Sequence, residues 1–137
     1  MVVLAWMRRI SVVVVMLAVA ACASGGGSMG TVTPITDLSS VAGRWDGLVR
    51  TSGDRDDLVE LMIAPDGTYR FTAGVRMIGA LDAPGRVAVQ DGRLRFTDEE
   101  GGTGTGILYE KEGKRTLQFD LTSAKDRNYS GRLTPKP

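Results

Sequence analysis

The sequence of 137 residues contains no histidine. Histidine is the commonest general base and transition-metal ligand, so its absence excludes Ser-His-Asp and Cys-His catalysis. A zinc site would need an unusual ligand set. Carboxylates cluster at residues 52–57 and 98–100, but neither run has EF-hand spacing, and solvated turns explain both. We predict a non-enzymatic protein without a cofactor or a resident metal.

Cysteine and net charge are also scarce. Cys22 is the single cysteine, which leaves no second thiol for a disulfide within the chain. The 17 Lys and Arg residues nearly balance the 16 Asp and Glu residues. Two of the basic residues, Arg8 and Arg9, precede Cys22, and all 16 acids follow it, so the rest of the chain has 15 basic and 16 acidic groups, a net charge of −1. This balance predicts no nucleic-acid partner.

A long apolar run is missing as well, since residues 10–21 are only twelve uncharged, mostly apolar residues. A membrane-spanning helix needs about 20 such residues, whereas the core of a signal peptide needs about 7–15. Arg8 and Arg9 directly precede the run and supply the basic flank of a signal peptide. We therefore predict a signal peptide over residues 1–21, with Met7 favoured as the natural start.

The end of this segment, Val19-Ala20-Ala21-Cys22, resembles the lipobox of bacterial lipoproteins. The resemblance implies that Cys22 becomes the acylated first residue and anchors the protein to a membrane by palmitate-like chains. Ala23 and Ser24 differ from the aspartate of an inner-membrane retention signal. This favours an outer membrane facing the periplasm if the host has one, and otherwise the outer face of the cell membrane. The alternative is an ordinary signal peptide with a coincidental cysteine.

Composition divides the rest of the chain. Residues 22–40 contain the acylated cysteine, a Gly/Ser spacer and an arm in which Pro34 interrupts regular structure. We place the folded domain at residues 41–134 and a C-terminal tail at 135–137.

Within the domain, apolar and polar residues alternate, as in Val59, Leu61 and Ile63 with Glu60 between them. This period of two predicts half-buried strands. An antiparallel meander best hides its edges by closing into a barrel, so the predicted fold class is all-β, with one up-and-down barrel of eight or nine short strands. The predicted turns lie at 65–67, 83–85, 91–92, 100–102 and 112–114. The predicted strands are 44–50, 57–64, 67–73, 75–81, 86–90, 92–97, 104–110, 114–121 and 127–134.

The first strand opens with Gly43-Arg44-Trp45, which resembles the Gly-x-Trp motif of the calycin superfamily, including the lipocalins. The resemblance implies a small lipocalin-like barrel whose tryptophan closes one end under an arginine of the last strand. Arg132 is the nearest match for that arginine and would form a cation–π contact with Trp45. The domain is shorter than a typical lipocalin and has no C-terminal helix.

Aromatic residues are few, and most of them fall on the predicted strands. They either line a ligand cavity or fill the core, because a barrel of about eight strands has room for one small ligand or for side chains alone. The predicted ligand-binding residues are Trp45, Tyr69, Phe71, Phe96, Tyr109, Phe119 and Arg132.

Three apolar residues, Leu48, Met62 and Leu108, fall out of phase on the polar side of their strands. Three explanations stay open. They are scattered surface residues, they form a partner-binding patch, or the arm covers them through Val32, Ile35 and Leu38.

Two functions fit these observations. The first is a membrane-tethered lipoprotein whose lipocalin-like barrel binds a small apolar ligand. The second is a non-enzymatic interaction protein of the cell envelope, a structural part, assembly factor or inhibitor with a filled barrel.

Overall fold

A computed structural model describes residues 29–52, 56–73 and 81–137, with the backbone alone for residues 81–83. The predicted signal peptide, the lipobox with Cys22, and most of the Gly/Ser spacer lie outside the described residues. Most of the predicted strand 75–81 does so too.

The described chain forms a closed antiparallel barrel. Each strand from β2 to β9 pairs with the next, and β9 pairs back with β2, which closes an eight-stranded up-and-down barrel. This confirms the predicted all-β fold class. A short 3₁₀ helix, Leu38–Ser40, precedes the barrel. The strands are β1 Thr31–Val32, β2 Gly43–Thr51, β3 Asp56–Ile63, β4 Thr68–Ala73, β5 Leu81–Gln90, β6 Arg93–Asp98, β7 Thr103–Lys111, β8 Lys114–Thr122 and β9 Asn128–Lys136.

The period of two in the sequence becomes the inside and outside of the barrel. On β3, Val59, Leu61 and Ile63 are buried, while Leu58 and Met62 between and beside them are exposed. Side chains of successive strand residues point to opposite faces, so each strand contributes one row to a common core. Full burial of a Val, Leu, Ile or Phe side chain stabilises the folded state by about 1.5–3 kcal/mol relative to leaving it exposed.

Two tight hairpins have the turn chemistry that the sequence predicts. Asp91-Gly92 joins β5 to β6 with φ of 53° and 74°, and Glu112-Gly113 joins β7 to β8 with φ of 52° and 76°. Positive φ at both central residues defines a type I′ turn, whose twist matches that of the flanking strands. Both predicted turns are confirmed.

The predicted turn at residues 83–85 is wrong, since β5 runs through Ala83-Pro84-Gly85 without a break. Proline is tolerated here because of where its missing N–H would point. The Pro84 carbonyl accepts a hydrogen bond from the Glu99 N–H, on the side of β5 that faces β6. The nitrogen and carbonyl of one strand residue point to the same side, so the Pro84 nitrogen also faces β6. It lies beyond the pair of Gly85 with Asp98, which is the last pair of the β5–β6 ladder. No ladder hydrogen bond is lost there.

Both ends of the domain differ from the predicted boundaries. β9 continues two residues past the predicted strand end, and Lys136 pairs with Arg44. At the other end, the arm belongs to the fold. Val32 of β1 pairs with Tyr109 of β7, the Ile35 N–H donates to the Gly92 carbonyl, and the Ile35 side chain is part of the core.

Candidate functional site

Aromatic rings occupy the barrel interior in mutual contact. Their centroids lie 5.0 Å apart for Tyr69–Phe96 and Phe71–Phe119, 5.3 Å for Phe96–Phe119 and 5.4 Å for Phe71–Tyr129. These contacts link five buried rings into one chain across the interior. Edge-to-face and stacked pairs at this spacing add about 0.5–1.5 kcal/mol each beyond their burial. Four predicted ligand-binding residues, Tyr69, Phe71, Phe96 and Phe119, are therefore brought together as core.

The inward positions of β7 are glycines as far as Leu108. A Cβ atom on Gly106 would lie 3.2 Å from the Phe96 ring and 3.2 Å from the Leu94 Cβ, so glycine leaves the space that the ring fills. β7 begins at Thr103, directly after the predicted turn at 100–102 and one residue before the predicted strand start.

The observed inward and outward positions of β7 overturn two predictions. Leu108 faces inward and is buried, and Tyr109 lies outward beside Val32, so the predicted outward Leu108 and cavity-lining Tyr109 are wrong. The inward glycines hide the alternation of β7 because they have no side chain to classify. The regular spacing of Gly102, Gly104 and Gly106 could have given the correct phase.

The barrel end at Trp45 is closed by an arginine other than the predicted one. The Arg115 guanidinium lies 5.5 Å from the Trp45 ring centroid, and its Nη2 donates to the Ser40 carbonyl at 2.6 Å. The indole N–H donates to the Val41 carbonyl at 2.9 Å. Arg132 is exposed at an outward position of β9, next to inward Leu133, so its predicted cation–π contact is wrong.

Two buried polar side chains, Asp98 and Tyr69, lie near Gly85, and of these two only Asp98 has hydrogen-bond partners among the described residues. Asp98 is only 8% exposed and accepts hydrogen bonds from the Gly102 and Glu100 N–H groups at 2.7 and 2.9 Å, which orders the β6–β7 turn. The Tyr69 hydroxyl is buried without a hydrogen-bond partner among the described residues. Burial, and then the charge of Asp98, raise the pKa of Tyr69, so the phenol stays protonated.

Part of the outer surface is apolar. Leu48 is 63% exposed, Leu58 45% and Met62 37%, and Leu48 pairs with Leu58 across β2 and β3. The arm packs against the core at the barrel end through Ile35 and Leu38. Leu48 and Met62 are exposed, so the covering arm, one of the three explanations, is wrong for these two residues.

The outward residues of β2, β3 and β9, here called the ion-pair face, neutralise one another. Four ion pairs connect them at 3.4–3.6 Å: Arg44–Glu60, Arg50–Asp56, Lys136–Asp46 and Lys136–Glu60. Exposed pairs of this kind contribute about 0.2–1 kcal/mol each.

The outward residues of segment 86–90 of β5 and segment 93–97 of β6, here called the arginine face, have a different charge pattern. They are Arg86, Ala88, Gln90, Arg93, Arg95 and Thr97, which pair as Arg86–Thr97, Ala88–Arg95 and Gln90–Arg93. Sequence reasoning missed this face, although residues 86–90 and 93–97 contain three arginines and no acid.

A groove of about 700 Å³ runs along the arginine face beside the arm. Arg86 and Arg95 line it, and Leu38, Ala88 and Val89 supply apolar surface. Asp66 also borders it, but its carboxylate accepts hydrogen bonds from the Thr68 hydroxyl and N–H at 2.7 and 2.9 Å. These bonds, led by that of the hydroxyl, lower the pKa of Asp66.

Within residues 29–52, 56–73 and 81–137, no three or more potential metal-ligating side chains converge. None of the helices there has the length and apolar character needed to cross a membrane.

No protein-family model matches this chain, and no curated protein matches it either.

Proposed function

We propose that this chain is a non-enzymatic lipoprotein of the bacterial cell envelope that binds its partner through the outer surface of the barrel. The lipobox resemblance at Val19 to Cys22 supports the membrane anchor. A lipid on Cys22 with two or three acyl chains gives stable attachment, whereas one chain alone is marginal.

The mutual contact of the buried aromatic rings is the observation that carries the second half of the proposal. A small barrel either packs its interior with side chains or keeps room for a ligand. Here Phe71 contacts both Phe119 and Tyr129, and Phe119 contacts Phe96. An apolar ligand would have to displace these rings and forfeit their contacts. A partner on the outer surface meets no such cost.

Native mass spectrometry of the full chain, extracted in detergent from its own host's membranes, tests both halves. We expect the mass of a chain that begins at an acylated Cys22, with no further small molecule retained when the detergent is stripped. A lipid-like molecule held non-covalently would contradict the filled interior and favour the ligand-binding function. An unmodified chain would contradict the anchor.

Substitution isolates the anchor. We expect Cys22→Ser to move the protein from the membrane fraction to the soluble fraction. Ser24→Ala, two residues further on, is the matched control and should partition like the unaltered protein. Equal partitioning of both variants would refute acylation at Cys22.

A further inference from the structure

The arginine face carries positive charge that its neighbours on the strands do not neutralise. Arg86, Arg93 and Arg95 are exposed, and the residues paired with them are Thr97, Gln90 and Ala88. Among the described residues, none of the three arginines has a carboxylate within ion-pair distance, in contrast to Arg44 and Arg50 of β2, although Arg86 interacts electrostatically with Asp66. We infer that this face docks on a bilayer of anionic phospholipids, an inference that rests on the proposed lipid anchor at Cys22.

Residues 86–90 and 93–97 contain no carboxylate; Asp82 lies earlier on β5, Asp98 ends β6, and the other carboxylates near this face lie in turns or in the arm. Asp66 belongs to the β3–β4 turn, where it accepts hydrogen bonds from Thr68 and interacts electrostatically with Arg86. Asp37 belongs to the arm and accepts a hydrogen bond from the Ser39 N–H at 2.6 Å. Asp91 occupies the β5–β6 turn. Among the described residues, Arg93 and Arg95 have no carboxylate within ion-pair distance, so the positive charge of this face is concentrated there.

The residues next to the arginines suit the boundary between headgroups and acyl chains. Thr105 of β7 pairs with Arg95, and Ile107 and Tyr109 follow at outward positions of the same strand. Val32 pairs with Tyr109 and is half exposed. Arginine, tyrosine and small aliphatic residues together form the composition of peripheral membrane surfaces.

The groove beside the arm gives this surface a place for a headgroup. Arg86 and Arg95 are the cations that line it, Asp37 and Asp66 are the carboxylates at its edge, and Leu38, Ala88 and Val89 are its apolar surface. A phosphate binds guanidinium groups by charge-assisted hydrogen bonds, while the glycerol and upper acyl carbons favour an apolar surface.

The arm enters the barrel beside this face. The Ile35 N–H bonds to the Gly92 carbonyl in the turn that leads into β6. Eight residues, 23–30, separate Cys22 from β1. At up to about 3.6 Å per residue they reach at most about 30 Å, so an anchored barrel stays close to the lipid surface. Each arginine near an anionic bilayer then favours docking by about fivefold, and the three together by roughly a hundredfold.

Depth-dependent quenching tests this orientation in the full acylated chain. Ala88→Cys on the arginine face and Thr134→Cys on the ion-pair face each receive a fluorophore, since Cys22 is blocked by acylation. The proteins are reconstituted into phosphatidylcholine vesicles with or without one third phosphatidylglycerol, and the lipids carry a nitroxide quencher. We expect quenching at position 88 to exceed that at position 134 severalfold in anionic vesicles, and the excess to vanish in neutral vesicles or high salt.

Two triple variants with the same loss of charge provide the matched control. Removal of the arginine-face charges should abolish the excess quenching, and removal of three arginines from the ion-pair face should preserve it. The variants are Arg86→Gln/Arg93→Gln/Arg95→Gln and Arg44→Gln/Arg50→Gln/Arg132→Gln.

Each contrary outcome has a distinct meaning. Protein that floats with the vesicles but is quenched equally at both positions would overturn the docking inference and leave the anchor intact. Cross-linking from position 88 to an envelope protein, without quenching, would overturn it in favour of a protein partner. Protein that does not float with vesicles at all would refute the proposed anchor and, with it, the inference.

Discussion

The ion-pair face and the arginine face belong to the same barrel and differ only in their outward residues. On the ion-pair face, Lys136 contacts both Asp46 and Glu60, and Arg44 and Arg50 each have an acidic partner. On the arginine face, Arg93 and Arg95 have an amide and a methyl group opposite them. A surface that neutralises its own charges has little left for a partner, whereas unpaired arginines remain available to an anion.

Truncating a core side chain should lower the free energy of unfolding more than any other change proposed, and by a similar amount beneath either face. Phe96→Ala beneath the arginine face and Leu61→Ala beneath the ion-pair face should each lower the free energy of unfolding by about 2–5 kcal/mol, because both leave a cavity. Urea unfolding of the full chain in one detergent measures this. The outward control Thr97→Ala should change it by less than about 0.5 kcal/mol. A nearly neutral Phe96→Ala would show that the interior beneath the arginine face is a ligand site.

Arg115 closes the barrel end that both faces share. Arg115→Gln should lower the free energy of unfolding by about 1–2 kcal/mol, since it removes the cation–π contact with Trp45 and a charged hydrogen bond to the Ser40 carbonyl. The same urea titration applies, with Trp45 fluorescence as a second signal. Arg132→Gln is the matched control and should be nearly neutral. A larger effect of Arg132→Gln would restore the predicted role of that residue.

Salt should change the contribution of the two faces to the free energy of unfolding with opposite signs. Lys136→Gln should lower the free energy of unfolding by less than about 1 kcal/mol, and by less still in high salt, because salt screens the exposed ion pairs. Arg95→Gln should be neutral or slightly stabilising, since it removes a like charge beside Arg93. Unfolding at low and high sodium chloride checks both. The same sign of salt dependence for the two variants would erase the electrostatic difference between the faces.

The smallest expected effect is local and concerns Asp66 at the edge of the arginine face. The pKa of this carboxylate is lowered from its ordinary value of 3.8, first by the Thr68 hydroxyl and then by the Thr68 N–H. A lowered folded pKa stabilises the fold above the unfolded value, and this contribution is lost as the pH falls through the folded pKa. Thr68→Val should raise the pKa of Asp66 toward the ordinary value in an NMR titration. Thr72→Val on the same strand should leave it unchanged.

The fold was predictable because a strand with one buried side reveals itself by alternation. Val59, Leu61 and Ile63 predict β3, and Asp91-Gly92 predicts the turn that follows β5. The prediction failed where side chains carry no such information. Glycines at the inward positions of β7 concealed its phase, so the predicted directions of Leu108 and Tyr109 were reversed. Pro84 led to a wrongly predicted turn, because the sequence does not show that its missing N–H falls beyond the end of a ladder.

The candidate site was predictable only in part. Trp45, Tyr69, Phe71, Phe96 and Phe119 do face inward as predicted, but the ring contacts that fill the interior depend on which strands become neighbours. The arginine of the Trp45 contact was misassigned for the same reason, since proximity in a closed barrel follows strand pairing rather than sequence order.

The sequence by itself determined the all-β class, the two-sided strands, the tight hairpins and the lipobox resemblance at Cys22, because these depend on residues that are close along the chain. Only the tertiary structure decided that β9 closes on β2, that Ile35 of the arm enters the core, and that Arg115 covers Trp45. It also decided that three arginines share one face while the acids of β2 and β3 are paired elsewhere. The physical reason is that packing and charge pairing depend on distances between strands, which are fixed when the barrel closes.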